Sequence, residues 1–99
     1  IDGTICEDIP NEQAYLFGAA KPLPGALAKV KEFYNRGDRV TFFTSRTSEH
    51  AEITEGWLKN HGFPFESVCY NKPRINEGEE YCWVDNKSVM AIYLPEGLR

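Results

Sequence analysis

The sequence predicts an α/β fold with a mainly parallel sheet, on three observations. Short runs of β-branched and aromatic residues alternate with runs of helical period, Gly and Pro punctuate the boundaries, and chemically useful side chains stand where strands end. Strands alternating with helices imply parallel βαβ units with helices on both faces of the sheet, a three-layer α/β/α arrangement. At 99 residues the chain makes one domain, residues 1–99, small but able to bury a core.

The elements follow in order. Ile1-Asp2-Gly3-Thr4-Ile5 suits a strand end that turns sharply with its carboxylate aimed into a cleft, although Asp-Gly is first of all a turn dipeptide. Residues 6–21 hold no clear period. Residues 12–17 suit a turn or two of helix, read either as a flap over a site or as a surface loop tacked down by Tyr15, Leu16 and Phe17. Pro22 and Pro24 mark a boundary, and Pro24 fits the first turn of a helix because its missing N–H has no partner there. Ala26, Leu27, Val30, Phe33 and Tyr34 then recur at helical spacing up to a closing Gly37.

Residues 39–44 read as a strand covered on both faces, bulky and nearly continuous. Thr47 or Ser48 is placed to cap a second helix with Ala51, Ile53, Trp57 and Leu58 on its apolar face, ended by Asn60-His61-Gly62 and Pro64. Further strands are expected over residues 67–70, 81–84 (ending at Asp85) and 91–94, with a polar, turn-rich stretch at 71–80 and a single turn at 88–90. There are no repeats and no low-complexity segments.

Composition narrows the classes of function. A hydrophobic fraction of 41% with 13% aromatics describes a globular chain, not a disordered one. The net charge of −4 argues against a broad nucleic-acid or anionic-membrane surface, leaving room for a local basic pocket. No apolar run approaches the length of a membrane span, and no signal peptide is visible. Cys6, Cys69 and Cys82 are odd in number and lack metal-ligand spacing, which reads as reduced, mostly buried thiols in a cytoplasmic protein.

In open parallel sheets ligands sit outside the carboxyl ends of the strands. Asp2, Thr44 and Asp85 stand at three such ends and Lys72 just beyond a fourth. Together they resemble the haloacid dehalogenase-like superfamily of phosphohydrolases, whose first motif reads Asp-x-Asp-Gly-Thr after an apolar strand. Ile1-Asp2-Gly3-Thr4 matches the last four positions of that motif. The resemblance implies a Rossmann-like core whose nucleophilic Asp and first central strand precede Ile1, so that the chain is truncated within that motif.

It further implies a role for each matching residue. Asp2 matches the general acid/base, which protonates the departing alcohol and then activates water, with its backbone carbonyl on Mg²⁺. Thr44 matches the hydroxyl that donates to the phosphoryl group, although a strand-end hydroxyl also serves nearby backbone. Lys72, in Asn71-Lys72-Pro73, matches the lysine that neutralises charge between nucleophile and phosphoryl oxygens. Lys59 and Lys87 suit that role less well. Asp85 matches the acid that anchors Mg²⁺, a hard cation held by carboxylate oxygens, where Asn86 follows in place of a second acid. Gly3, Thr4, Ser45 and Arg46 are expected at the substrate. Arg46 and Arg74 are further candidates; for Arg46 the alternatives are a guanidinium on a second anionic group and a surface residue near a helix start. His50 and His61 read as helix residues, not ligands.

The intervals between these residues hold no inserted cap domain. Capless members act on large or extended substrates or close their site with another subunit, which makes a homo-oligomer compatible with the sequence. The expected function is a Mg²⁺-dependent phosphomonoester hydrolase acting through an aspartyl-phosphate on a small phosphorylated substrate. A phosphorylated sugar or other metabolite ranks ahead of a polynucleotide end because the chain is acidic. The alternative is a non-catalytic domain of the same fold that binds phosphate or a protein. A phosphorelay receiver also uses Asp, Thr and Lys at strand ends, but in a different order.

Overall fold

The computed structural model describes residues 1–99. A turn at residues 1–6 leads to a 3₁₀-helix, Asn11–Ala19, and then to α1, Ala26–Asn35. Strand β1, Thr41–Phe43, is followed by a 3₁₀ turn, Ser48–His50, running directly into α2, Ala51–Asn60, and by β2, Ser67–Cys69. β1 and β2 pair in parallel, with Thr41 opposite Ser67, Phe42 opposite Val68 and Phe43 opposite Cys69. Parallel strands cannot be joined by a tight turn, so the helix between them makes β1-α2-β2 a βαβ unit.

Both helices lie where periodicity put them. At the end of α1 the Gly37 N–H donates to Tyr34 O at 3.1 Å and the Asp38 N–H to Phe33 O at 3.1 Å, so two carbonyls of the last turn are satisfied. α2 buries Thr54, Trp57 and Leu58, while the expected apolar position Ile53 is 40% exposed. Neither Thr47 nor Ser48 caps α2 through its side chain; the Thr47 hydroxyl donates to Glu49 Oε1 at 3.0 Å instead.

Core residues come only from positions 1–63. Ile5, Cys6, Phe17, Ala26, Val30, Phe42, Trp57, Leu58 and Phe63 are among its members. Phe42 meets Phe63 and Phe65 edge-on with centroids 6.3 and 6.0 Å apart, and Trp57 stacks on Phe63 at 5.6 Å. The Trp57 indole N–H donates to Ala20 O at 2.9 Å, which fastens α2 to the end of the 3₁₀-helix.

Three expectations are corrected, for β1, for the later strands and for the turn at 88–90. β1 is covered on one face only: Phe42 is buried, whereas Thr41 and Phe43 are exposed. Residues 81–84 and 91–94 form no strands, and residues 88–90 form no turn. A strand needs a neighbour to satisfy its backbone. Every hydrogen bond made by residues 76–94 stays within residues 73–97, so none reaches β1 or β2. Val84, Met90 and Tyr93 are accordingly 91%, 84% and 87% exposed. The sheet has two strands, and no helix is long and apolar enough to cross a membrane.

Candidate active site

Hydrogen bonding past the strand ends brings the site together. The Thr44 N–H donates to Cys69 O, the Asn71 N–H to Arg46 O and the Lys72 N–H to Thr44 O, each at 2.9 Å. Residues 44–46 and 70–72 therefore lie side by side beyond the carboxyl ends of β1 and β2. Asn71 makes the turn with φ of 63°, a left-handed conformation that asparagine tolerates.

The first turn is folded onto this edge. Gly3 has φ of 72°, and the Thr4 and Ile5 N–H groups donate to Ile1 O at 3.0 and 2.9 Å. That tight turn needs a residue without Cβ at position 3. It is stitched to its surroundings by the Leu23 N–H on Ile5 O at 2.9 Å and the Leu98 N–H on Thr4 O at 2.7 Å.

Two adjoining clefts open here with a common wall of Asp2, Ser45 and Lys72. One is completed by Thr4, Phe43 and Thr44, the other by Asn11, Arg74 and Tyr81, with Asp8 and Glu12 on its rim. The Asn11 amide donates to Ser45 O at 3.1 Å, so the start of the 3₁₀-helix is tied to the shared wall. The Lys72 ammonium has no carboxylate partner; its Nζ lies 4.9 Å from the Tyr81 ring centroid and 5.7 Å from that of Phe43. The buried Thr44 hydroxyl oxygen accepts the Arg46 N–H at 3.1 Å, which leaves its own proton free to be donated.

Arg46 lies elsewhere than expected. It is wholly buried and lines neither cleft. Its Nε and one terminal nitrogen donate to the two oxygens of Asp2 at 2.8 and 2.7 Å, and the other terminal nitrogen donates to Thr54 Oγ1 at 3.0 Å. The guanidinium carbon sits 3.7 Å from the Phe17 ring centroid. A planar fork meeting a carboxylate along two parallel bonds is the strongest geometry such a pair adopts. Thr54 was the missed signal: a hydroxyl on the stripe shared by Ala51, Trp57 and Leu58 requires a buried partner.

Asp85 is not brought to either cleft. Its carboxylate is exposed and accepts hydrogen bonds from the Asn86 and Lys87 N–H groups at 2.7 and 3.3 Å and from the Trp83 indole at 3.4 Å. No three His, Cys, Asp or Glu side chains gather to hold a metal ion. Gly3 and Thr4 lie at the first turn, with Thr4 on the cleft wall, and Ser45 belongs to both clefts.

Cys6 lies beneath Asp2, its Sγ 3.8 Å from Oδ1. Burial first, and the Asp2 charge second, push its thiol up to about 12 from an ordinary 9.0.

Two curated relatives are similar to the chain. A Chlorobaculum tepidum protein named "Putative 5'(3')-deoxyribonucleotidase" is 26% identical over 92 residues, covering 87% of this chain and 46% of that protein. A Bacillus cereus protein named "Putative nucleotidase" is 33% identical over 48 residues, covering 48% of this chain and 25% of that protein. The chain thus spans about half the length of the first and a quarter of the second. No protein-family model matches it, and no solved structure does.

Proposed function

We propose that the complete protein is a phosphomonoester hydrolase that works through an aspartyl-phosphate on a small phosphorylated substrate. The observation that carries this reading is the unpaired Lys72 ammonium beside Thr44, Ser45 and Asp2 at the carboxyl ends of parallel strands. Lys72 supplies positive charge where negative charge gathers on a phosphoryl group, and the free Thr44 proton is available to a phosphoryl oxygen. Asp2 is the acid/base: it protonates the departing alcohol and later takes a proton from water. In the same reading the two-stranded sheet is one part of a larger three-layer core. The names of the relatives favour a nucleoside monophosphate over the phosphorylated sugar expected from sequence.

Mg²⁺ is the cofactor this class calls for, and the donor set as arranged does not fit it. Asp85, the carboxylate expected to anchor it, lies away from both clefts, and the Asp2 carboxylate, committed to Arg46, offers no replacement. Asp2, Thr44 and Lys72 carry the chemistry in this reading, and chelation followed by add-back of Mg²⁺ to the full-length protein tests metal dependence. The same commitment of Asp2 favours a second reading, a phosphate-binding domain without turnover.

A panel of nucleoside 5′- and 3′-monophosphates, sugar phosphates and an aryl phosphate, offered to the full-length protein, separates the two. The hydrolase reading expects turnover and a loss of about 10²–10³ in kcat for Lys72→Ala, the size of one lost electrostatic contact to the transition state. Saturable phosphate binding that depends on Lys72, with no turnover on any substrate, selects the binding domain.

A further inference from the structure

We infer that Arg46 is a positioning residue for Asp2 and that Thr54 and Phe17 are what hold it in place. The inference rests on the hydrolase reading above, in which Asp2 moves protons.

The geometry fixes the guanidinium from three sides. Its plane is covered by the Phe17 ring at 3.7 Å, one terminal nitrogen is spent on Thr54 at 3.0 Å, and the remaining edge faces Asp2 along two bonds of 2.7 and 2.8 Å. The Arg46 side chain is 1% exposed, so no water competes for these donors, whereas the Asp2 side chain keeps 13% exposure at the cleft wall. Each Asp2 oxygen gives one acceptor site to Arg46; Oδ2 keeps a second, and that of Oδ1 meets only the weak Cys6 thiol at 3.8 Å. The carboxyl plane is set by the fork, and the remaining lone pairs are aimed by it.

Asp2 needs that support. It sits in a turn, not within the sheet, and no side chain other than Arg46 and the weak Cys6 thiol donor bonds to it. Proton transfer demands a donor within hydrogen-bond reach and correctly oriented. As the phosphoryl group passes to the nucleophilic carboxylate, the P–O bond to the alcohol breaks with its electron pair on the alcohol oxygen, and the Asp2 carboxyl delivers its proton there. Water then attacks phosphorus, the aspartyl P–O bond breaks with its electron pair on the nucleophile's carboxylate, and the Asp2 carboxylate takes the proton from that water. A carboxyl free to rotate would present its lone pairs to the cleft only part of the time. α2, through Thr54, and the 3₁₀-helix, through Phe17, thereby bear on a residue that neither of them contains.

The test compares an alkyl with an aryl phosphate in the full-length protein, using Arg46→Lys and the gentler Thr54→Val. Lysine keeps the charge and loses the fork. Thr54→Val leaves the Asp2 pair intact and removes one restraint on it. An alkoxide leaving group depends on protonation by Asp2, a contribution of about 10²–10⁴ for a positioned acid, whereas an aryl oxide depends on it little. In single turnover, Arg46→Lys is expected to slow phospho-enzyme formation from the alkyl ester by about tenfold or more and Thr54→Val by a few-fold, with half-saturation within about twofold and formation from the aryl ester nearly unaffected, whereas the later hydrolysis step, common to both esters, slows equally for both.

Equal losses in phospho-enzyme formation from both esters make the cluster purely structural and overturn the inference while the hydrolase reading stands. A rise in KM alone overturns it in favour of direct substrate contact. A wild-type protein that turns over neither ester overturns the hydrolase reading, and the positioning role with it.

Discussion

At the residue scale, the Asp2–Arg46 pair is stabilising only as a pair. Removing one member of a buried ion pair leaves the other without a partner, at a cost of about 3–5 kcal/mol, a large part of the roughly 5–15 kcal/mol that holds a small domain together. Arg46→Met is expected to lower stability by that amount in urea denaturation, and Asp2→Asn combined with Arg46→Met by much less than the sum of the two single effects. Cys6 carries a second expectation. Its folded thiol is pushed up to about 12 from 9.0, so the folded chain holds that proton more tightly than the unfolded one. The resulting stability is complete below pH 9, the ordinary value, and is lost as pH rises toward about 12. Burial, followed by the hydrogen bond and charge of Glu55, also raises the Tyr70 hydroxyl, which adds a loss of the same sign above its ordinary 10.0. Cys6→Ala should flatten the first part of the alkaline decline, with the Tyr70 part remaining in a pH series of melting temperatures.

At the scale of elements, what was legible in the sequence was what neighbouring residues decide. α1 and α2 declare themselves through period and closing residues, and β1 and β2 through bulk. Residues 81–84 and 91–94 have the same bulk, yet whether they are strands depends on a partner that local composition does not name. Thr44 and Lys72 were legible as neighbours because each follows a strand, whereas the Arg46 fork was not, because its two halves are 44 positions apart and no period links them. Asp85 was expected at the cleft only as the end of a strand that does not form. The long stretch around it has backbone groups bonded only locally and large side chains in solvent, the conditions for local opening. Limited chymotrypsin digestion should therefore cut first at Tyr81, Trp83 or Tyr93, and the buried Phe17, Phe42 and Trp57 should resist; early cleavage at Phe42 would contradict the assignment of the core to residues 1–63.

At the scale of the molecule, the core and the candidate site draw on different parts of the chain. Every core residue lies at or before Phe63, whereas the cleft walls need Lys72, Arg74 and Tyr81 as well. The two are joined by the backbone bonds that continue the β1–β2 ladder from Thr44 to Lys72. Substitutions on the 72–81 wall can therefore change binding with little change in stability, while those at the Asp2–Arg46 pair act on both.

The same pair has a consequence for the order in which the chain folds. Joining residue 2 to residue 46 closes a loop of 44 positions, and that entropy must be lost before the contact returns anything. The fork also requires Thr54 on a formed α2 and Phe17 on a formed 3₁₀-helix, so it locks only after both have docked. It belongs on the native side of the folding barrier. Stopped-flow measurements on Arg46→Met should accordingly show a folding limb close to that of the wild type and unfolding faster by roughly a hundredfold or more. The cluster that orients Asp2 would then also be the latch that sets how long the folded molecule lasts.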